Sequence, residues 1–330
     1  MACRLRFLSA HDVVLALPMK EAILAMKEAF RQLSAGEAVA PPRVHIAAAS
    51  PAGDVLFMPA YIPAAGRMGL KIVSLFGENA ARGLPRLHAL VVVLDAGTGV
   101  PLAVMDGTSL TALRTGAASG AATDLMARPE GSVAAIFGAG PQARTQLEAV
   151  CAVRPIRLVR VFDMSRPRAE SLAREMRASL GIPVEAARSP AEALAGAEIV
   201  CTATTAAEPV FADRDLAPGA HINAVGSYKP SVREVPGETV CRARVVVDYR
   251  PAALAEAGDL LIPIGQGLVA GAPAYAELGE IVAGLRQGRG SADEITLFKS
   301  VGVAVQDLAA ADRALANAER LGLGTELDLQ

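Results

Sequence analysis

Tryptophan is absent from the 330 residues, and the other aromatics are few, four tyrosines and eight phenylalanines. So few rings exclude the base-stacking platforms of single-strand nucleic-acid binders. The core must instead be built from Ala, Val, Leu and Ile, the usual filling of helix-covered parallel sheets. An excess of one charge is also missing: 32 Lys and Arg face 34 Asp and Glu, a net charge of −2, without basic blocks. Neither a nucleic acid nor an anionic membrane is therefore an expected partner. The four cysteines, Cys3, Cys151, Cys201 and Cys241, stand singly with no Cys-x-x-Cys pair. That spacing excludes a zinc knuckle or a disulfide framework and predicts reduced packing residues and no metal site. No apolar run approaches the ~18–20 residues of a membrane span. The N-terminal apolar stretch is interrupted by His11 and Asp12 with no cleavage site after it, so a cytoplasmic protein is expected. Gly-x-Ser-x-Gly, His-Glu-x-x-His and a phosphate loop ending in Gly-Lys-Ser/Thr are lacking too, which removes the usual support for serine hydrolases, zinc proteases and nucleoside triphosphatases.

What remains is an apolar chain, 52% hydrophobic and 20% charged, long enough for two domains. Residues 10–35 carry apolar positions at helical spacing, with Pro18 as a break and Gly36 as a stop. From 43 to 105, short β-rich runs (RVHIAAAS, DVLFMPAY, RMGLKIVSLF, HALVVVLD, PLAVMD) alternate with Gly/Pro/Asn turns and predict a mostly antiparallel sheet. Residues 108–128 read as a connecting helix rich in small side chains. After Gly131, apolar strands (VAAIF, RLVRVF, EIVCTAT, HINAVG, RVVVDY, ITLF) alternate with helical stretches (QARTQLEAVCAV, RPRAESLAREMRAS, PAEALAGA, YAELGEIVAGLRQG), the rhythm of a doubly wound parallel sheet. The last stretch, SVGVAVQDLAAADRALANAERLG, predicts a long amphipathic helix returning to the first domain.

The sharpest motif follows the strand Val133 to Phe137: Gly138, Ala139, Gly140, Pro141, Gln142, Ala143, then a helix. This is the dinucleotide fingerprint in its Gly/Gly/Ala form. Gly138 permits the tight turn, Gly140 lets backbone approach a pyrophosphate at the helix N-terminus, and Ala143 allows close helix–sheet contact. The next strand ends at Asp163, 25 residues after Gly138, where a carboxylate accepts hydrogen bonds from the adenosine ribose. Asp163 favours NAD(H), yet Ser165, Arg166 and Arg168 follow at once and suit the 2′-phosphate of NADP(H). The plain alternative for those arginines is a solvated helix face.

Three cations interrupt apolar surroundings in the first domain: Arg43 after a Pro-Pro pair, Lys71 within GLKIVSLF, and Arg114 within LTALRTG. Singly each reads as an edge or salt-bridge residue; together, beside a dinucleotide domain, they suggest a pocket for a small carboxylate. His88, at the start of HALVVVLD, is either a structural histidine or a proton donor.

Taken in order, GLKIVSLF, PLAVMDGTSLTALRTGAASGAAT, IFGAGPQA, INAVGSYKP and TLFKSVGVAVQDLAAA resemble the ornithine cyclodeaminase/μ-crystallin family from about residue 5 to 325. The resemblance implies an α/β fold with a Rossmann-type doubly wound parallel sheet (residues 116–304) and a smaller α+β substrate-binding and dimerisation domain (1–115 plus 305–330). It implies a homodimer, NAD(H) or NADP(H), and chemistry at the α-carbon of a small amino or imino acid. Arg43, Lys71 and Arg114 are then the carboxylate ligands, with Arg114 and Thr115 also approaching the cofactor. Thr202, Thr204, Val225, Gly226 and Ser227 match cofactor-lining strand ends, as do Asp248 and the Phe298-Lys299-Ser300 turn.

One departure decides among family activities. Cyclodeaminases carry an acidic residue just after the INAVG strand; here Gly226-Ser227-Tyr228-Lys229-Pro230 offers none. Without that base the deprotonated amine needed for oxidation is harder to reach. The chain is accordingly similar to members that reduce cyclic ketimines, with Lys71, His88 or water as the proton source. Ornithine cyclodeaminase and alanine dehydrogenase are the enzymatic alternatives, and a small-ligand binding protein is the alternative from another class.

Overall fold

The computed structural model describes residues 4–269 and 274–329. In chain order the first elements are β1 (Arg4–Leu8), α1 (Ala10–Ala16), α2 (Met19–Ser34), β2 (Val44–Ala49), β3 (Ala52–Ile62), β4 (Arg67–Leu75), β5 (Leu87–Asp95), β6 (Pro101–Asp106) and α3 (Gly107–Met126). Then come β7 (Val133–Phe137), α4 (Pro141–Val153), β8 (Leu158–Phe162), α5 (Arg166–Leu180), β9 (Val184–Ala186), α6 (Pro190–Leu194), β10 (Ile199–Thr202) and β11 (His221–Ala224). The chain continues through α7 (Gly237–Arg242), β12 (Arg244–Val247), α8 (Arg250–Glu256), α9 (Gly258–Gly265), β13 (Ala276–Glu277), α10 (Leu278–Val282) and β14 (Thr296–Lys299), and ends in α11 (Ala304–Leu321) and β15 (Thr325–Asp328). It divides into two compact units, Met1–Arg114 with Val303–Gln330, and Thr115–Gly302. Among the described residues no helix is long and apolar enough to cross a membrane.

In the first unit a seven-stranded sheet runs β15-β1-β6-β5-β4-β3-β2. The meander β2 to β6 is antiparallel, as its alternating sequence predicts, while β1 joins β6 in parallel and β15 closes antiparallel on β1. Neither β1 nor β15 was predicted: Arg4-Leu5-Arg6 looks solvated, and β15 is exposed throughout. The pair is held by Glu326, which receives both Arg4 and Arg6. Because a strand sends successive side chains to opposite faces, one face of the sheet carries Met58, Lys71, Val91 and Met105 in a row. That face is covered by α11, which also packs on α2. Helix α2 supplies Ile23, Met26, Phe30 and Leu33 at three- and four-residue spacing, all buried. Its start follows Pro18, and α1 before it is fixed by a reciprocal cap between Ser9 and Asp12.

The second unit is an eight-stranded parallel sheet, β13-β12-β14-β11-β10-β7-β8-β9. Helices cover both faces with separate apolar cores, one around Leu147, Val150, Leu172 and Met176, the other around Leu194, Val240, Ala253 and Leu260. The order reverses at β7, which has β8 on one side and β10 on the other; ligands of such sheets bind at the carboxyl ends of strands at this switch. Three expectations need correction. Phe298 and Lys299 lie in β14, an interior strand buried on both faces, and not in a turn. YAELGEIVAGLRQG forms only the two-residue β13 and five-residue α10, because pairing with β12 extends its start and Gly284 (φ 72°) stops its helix. Cys241 is exposed; Cys201 is buried and Cys151 half-buried, as packing residues should be, and Cys3 lies outside the described residues.

Packing of α11 on the first sheet is tight at Gly69, where a Cβ would stand 2.7 Å from Leu308 Cδ1 and 2.8 Å from Val92 O. Leu308 is buried and Leu24, on the outer side of α2, is 64% exposed. Leu308→Ala is therefore expected to lower stability in urea unfolding by about 2–5 kcal/mol. Leu24→Ala should stay within about 0.5 kcal/mol of the parent.

Candidate active site

The first unit brings two of the predicted cations together around a residue that was not predicted. Lys71 projects from β4 and is 2% exposed; its Nζ lies 2.7 Å from Asp307 Oδ2. Arg114, buried on α3, donates from Nε to Asp307 Oδ1 at 2.8 Å and from Nη1 to Gln306 Oε1 at 3.1 Å. Gln306 Oε1 also accepts the N–H of Val303 at 2.8 Å, which fixes the first turn of α11. One carboxylate thus neutralises and positions two buried cations. Burial opposes its charge, but Arg114 and Lys71 outweigh burial and hold the Asp307 carboxyl below its usual range. Burial lowers Lys71 to about 8 against the opposing pull of Asp307, and Arg114 and Arg43 push it further down. Arg43 is half-buried just before β2 and close enough to act on the same ammonium.

His88 does not join this group. It lies opposite Ser74 in the β4–β5 register, an odd number of residues from Lys71, and is exposed on the other face of the sheet. The pleat therefore removes His88 as a proton source beside Lys71.

In the second unit the glycine loop has the predicted form. Gly138 has φ 99°, donates to Phe162 O at 2.8 Å, and has Ala203 O only 2.5 Å from where a Cβ would be. Gly140 caps α4, Pro141 is its first residue, and a Cβ on Gly140 would meet nothing within 4 Å. Open space thus lies before a helix N-terminus with no side-chain cap, which fits an anionic pyrophosphate. Gln142 Oε1 is buried without a hydrogen-bond partner among the described residues. Asp163, at the end of β8, accepts from Ala139 N and Ser165 N, both at 2.8 Å, so its carboxylate is fixed beside the loop. Arg166 is exposed and paired with Glu170 one turn along α5, the solvated arrangement, and Arg168 is exposed beside it. Buried Thr115 gives its carbonyl to Gln146 Nε2 at 3.2 Å.

The strand ends at β10 and β11 are organised by Glu234, which the sequence did not single out. Its Oε1 accepts from Thr204 N at 2.7 Å and Thr204 Oγ1 at 2.8 Å. Oε2 accepts from Gly226 N at 2.8 Å, Ser227 N at 3.1 Å and Thr202 Oγ1 at 3.1 Å. Gly226 is obligatory here, since a Cβ would stand 2.4 Å from Thr204 O and 2.5 Å from Glu234 Oε1. Burial raises the Glu234 carboxyl above its usual range, while Lys299 pulls it back. A carboxylate therefore does reach the loop after β11, but from Glu234, and five protein donors already occupy it.

Two residues matched to the cofactor-lining positions turn inward. Lys299 is fully buried, paired with Asp259 at 2.7 Å and donating to Ser227 O at 2.5 Å. Asp259 in turn accepts Glu234 N at 2.6 Å and Val235 N at 2.9 Å. Asp248, also fully buried, accepts from Ser300 Oγ, Val301 N, Gly302 N and Tyr249 N. Both residues hold loops, and interior strands leave their side chains no path outward. Val225 and Gly226 stay partly exposed, with Val225 N bonded to Thr202 O at 3.0 Å.

Comparison with known proteins shows close relatives over the whole length of the chain. A Delta(1)-pyrroline-2-carboxylate reductase of Bacillus cereus is 37% identical over 322 residues, covering 97% of this chain and 99% of that protein. The structure of the Thermococcus litoralis Delta(1)-pyrroline-2-carboxylate reductase in complex with NADH and L-proline superposes with a TM-score of 0.93 at 43% identity, over 97% of this chain and 99% of that one. An archaeal alanine dehydrogenase dimer with bound NAD gives a TM-score of 0.91 at 34% identity, over 99% and 100% of the two chains. The sequence model of the ornithine cyclodeaminase/mu-crystallin family matches residues 4–320, and the chain belongs to that family.

Proposed function

We propose that the chain reduces cyclic ketimine acids, Δ1-pyrroline-2-carboxylate or Δ1-piperideine-2-carboxylate, to L-proline or L-pipecolate with NADH or NADPH. The observation that carries this reading is the buried Lys71–Asp307–Arg114 cluster with Arg43 beside it. The reductases similar to this chain support it. The first unit is then the substrate-binding and dimerisation domain, the second the NAD(P)-binding Rossmann domain. The protein works in the cytoplasm, where reduced nicotinamide is regenerated.

The substrate carboxylate is held by Arg43, Lys71 and the Nη2 of Arg114, whose Nε and Nη1 are committed to Asp307 and Gln306. Reduction of C=N needs a hydride at C2 and a proton at nitrogen; a bound reduced nicotinamide supplies the hydride. Lys71, at about 8, is mostly protonated at neutral pH yet acidic enough to give the proton up, the match of pKa to operating pH that general acids need. Glu234, fully engaged by backbone and hydroxyl donors, is not free to manage a substrate amine, which disfavours ornithine cyclodeamination.

Loss of nicotinamide absorbance is expected when the protein is mixed with NADH and Δ1-pyrroline-2-carboxylate, with little from pyruvate plus ammonia and no ammonia from ornithine plus NAD. Lys71→Ala should lower kcat/KM for the imine by about 100-fold or more; an unchanged value removes Lys71 from the mechanism. Asp163 favours NADH, because a 2′-phosphate beside a fixed carboxylate is repelled. Asp163→Asn should cost about 10-fold in kcat/KM for NADH and narrow the NADH/NADPH ratio. The homodimer is proposed to form on the sheet face opposite Lys71, where Val44 (55%), Ile46 (55%), Leu90 (46%) and Met68 (40%) are exposed in the isolated chain. Ile46→Asp with Leu90→Asp should give a monomer by light scattering.

A further inference from the structure

We infer that Asp307 is a positioning residue for proton delivery: it is the carboxylate that keeps the Lys71 ammonium charged and in place, and so sets the upper end of the pH range over which the reductase works. The inference rests on the reading of Lys71 as proton donor. Lys71 is enclosed on β4 between Met58 of β3 and Val91 of β5, which offer it no charge. The charged groups acting on it are Asp307 from α11, Arg114 from α3 and Arg43 before β2. Two of these three are cations, so Asp307 alone favours the charged ammonium. Its geometry is specific, with one oxygen on each cation, Oδ2 at 2.7 Å from Lys71 Nζ and Oδ1 at 2.8 Å from Arg114 Nε. The carboxylate is itself held by the start of α11, where Gln306 ties Arg114 to Val303 N.

Substrate adds a second carboxylate to the cluster and leaves with the product. Between turnovers, Asp307 is the one of these three groups that opposes loss of the Lys71 proton. An amide at this position leaves Lys71 and Arg114 repelling one another, and the cheapest relief is deprotonation of Lys71, because arginine does not release its proton in this range. The donor is then absent at a pH where the parent protein still holds it.

The test is the pH profile of kcat/KM for imine reduction at saturating NADH, in the parent protein and in Asp307→Asn. The parent profile is expected to fall above about pH 8. In Asp307→Asn that fall should move down by about one pH unit or more. The ratio of parent to variant should therefore shrink on going from about pH 8 to about pH 6, since acidification returns the proton to Lys71. A variant that loses the same factor at every pH, or keeps its limb in place, overturns the inference and leaves Asp307 a structural residue. Absence of turnover by the parent protein with either imine overturns the functional reading first, so the two failures are distinguishable. If Asp307→Asn does not fold, Asp307→Glu is compared instead: the longer carboxylate should displace the limb, whereas an unmoved limb overturns the inference.

Discussion

Two cations buried side by side constrain the first unit more than any other feature. An isolated ammonium or guanidinium in a dry interior is strongly unfavourable, and removing one partner of a buried pair costs about 3–5 kcal/mol. Lys71 and Arg114 can be inside only because Asp307 meets both. Asp307 lies far along the chain, at the start of the C-terminal helix. The unit must therefore be discontinuous, with the whole parallel-sheet unit threaded between Arg114 and Val303. The return of α11 also covers the apolar side of the meander, so one element both fills the core and neutralises the site.

The second unit solves a similar problem with the opposite balance of charge. Glu234 and Asp259 are buried with one cation, Lys299, between them in the hydrogen-bond chain. Their oxygens accept the backbone of Thr204, Gly226, Ser227, Glu234 and Val235. Backbone N–H groups at the carboxyl ends of parallel strands lack sheet partners, and here carboxylates supply the acceptors that a ladder would otherwise give. The loops beside the switch point of the sheet are thereby tied down by buried hydrogen bonds within the chain itself. Preorganisation of that kind lowers the ordering cost of binding.

Much of this was legible in the sequence, for identifiable reasons. Period-2 alternation gave the meander from β2 to β6, and the Gly138–Ala143 motif gave the loop, because a φ of 99° and an open helix N-terminus leave few choices of residue. Lys71 stood out as a charge within an apolar run. Asp307 left a comparable trace: with Ala304, Leu308, Ala311 and Leu315 on the buried stripe of α11, position 307 falls at helical spacing on the same stripe, where a carboxylate needs a partner. Glu234 left none, since it sits in an irregular segment and its five donors are mostly backbone. His88 lies on the face opposite Lys71 because alternate residues of a strand point to opposite sides of the sheet, and closeness in the chain's apolar runs does not reveal which side each takes. β1 and β15 escaped because short strands with alternating charge, one at the sheet edge and one beside it, do not differ locally from solvated loops.

Charge balance in the first unit also bears on which substrate the site suits. Two buried cations, Lys71 and Arg114, share one carboxylate, Asp307. A ligand bearing a carboxylate and a neutral ring nitrogen improves that balance. A diamino acid brings the same carboxylate but two ammonium groups, and sets at least one of them against the existing excess of positive charge. The same excess works against a further positive charge on the ring nitrogen, which is consistent with the proposal that a proton is delivered during hydride addition. A buried lysine whose charge is only just maintained is suited to that step: it binds the carboxylate as a cation, and loses little when its proton moves to a nitrogen whose basicity rises as the C=N bond is reduced. Anchor and acid can then be one side chain, because the surrounding charges hold it near the point of release.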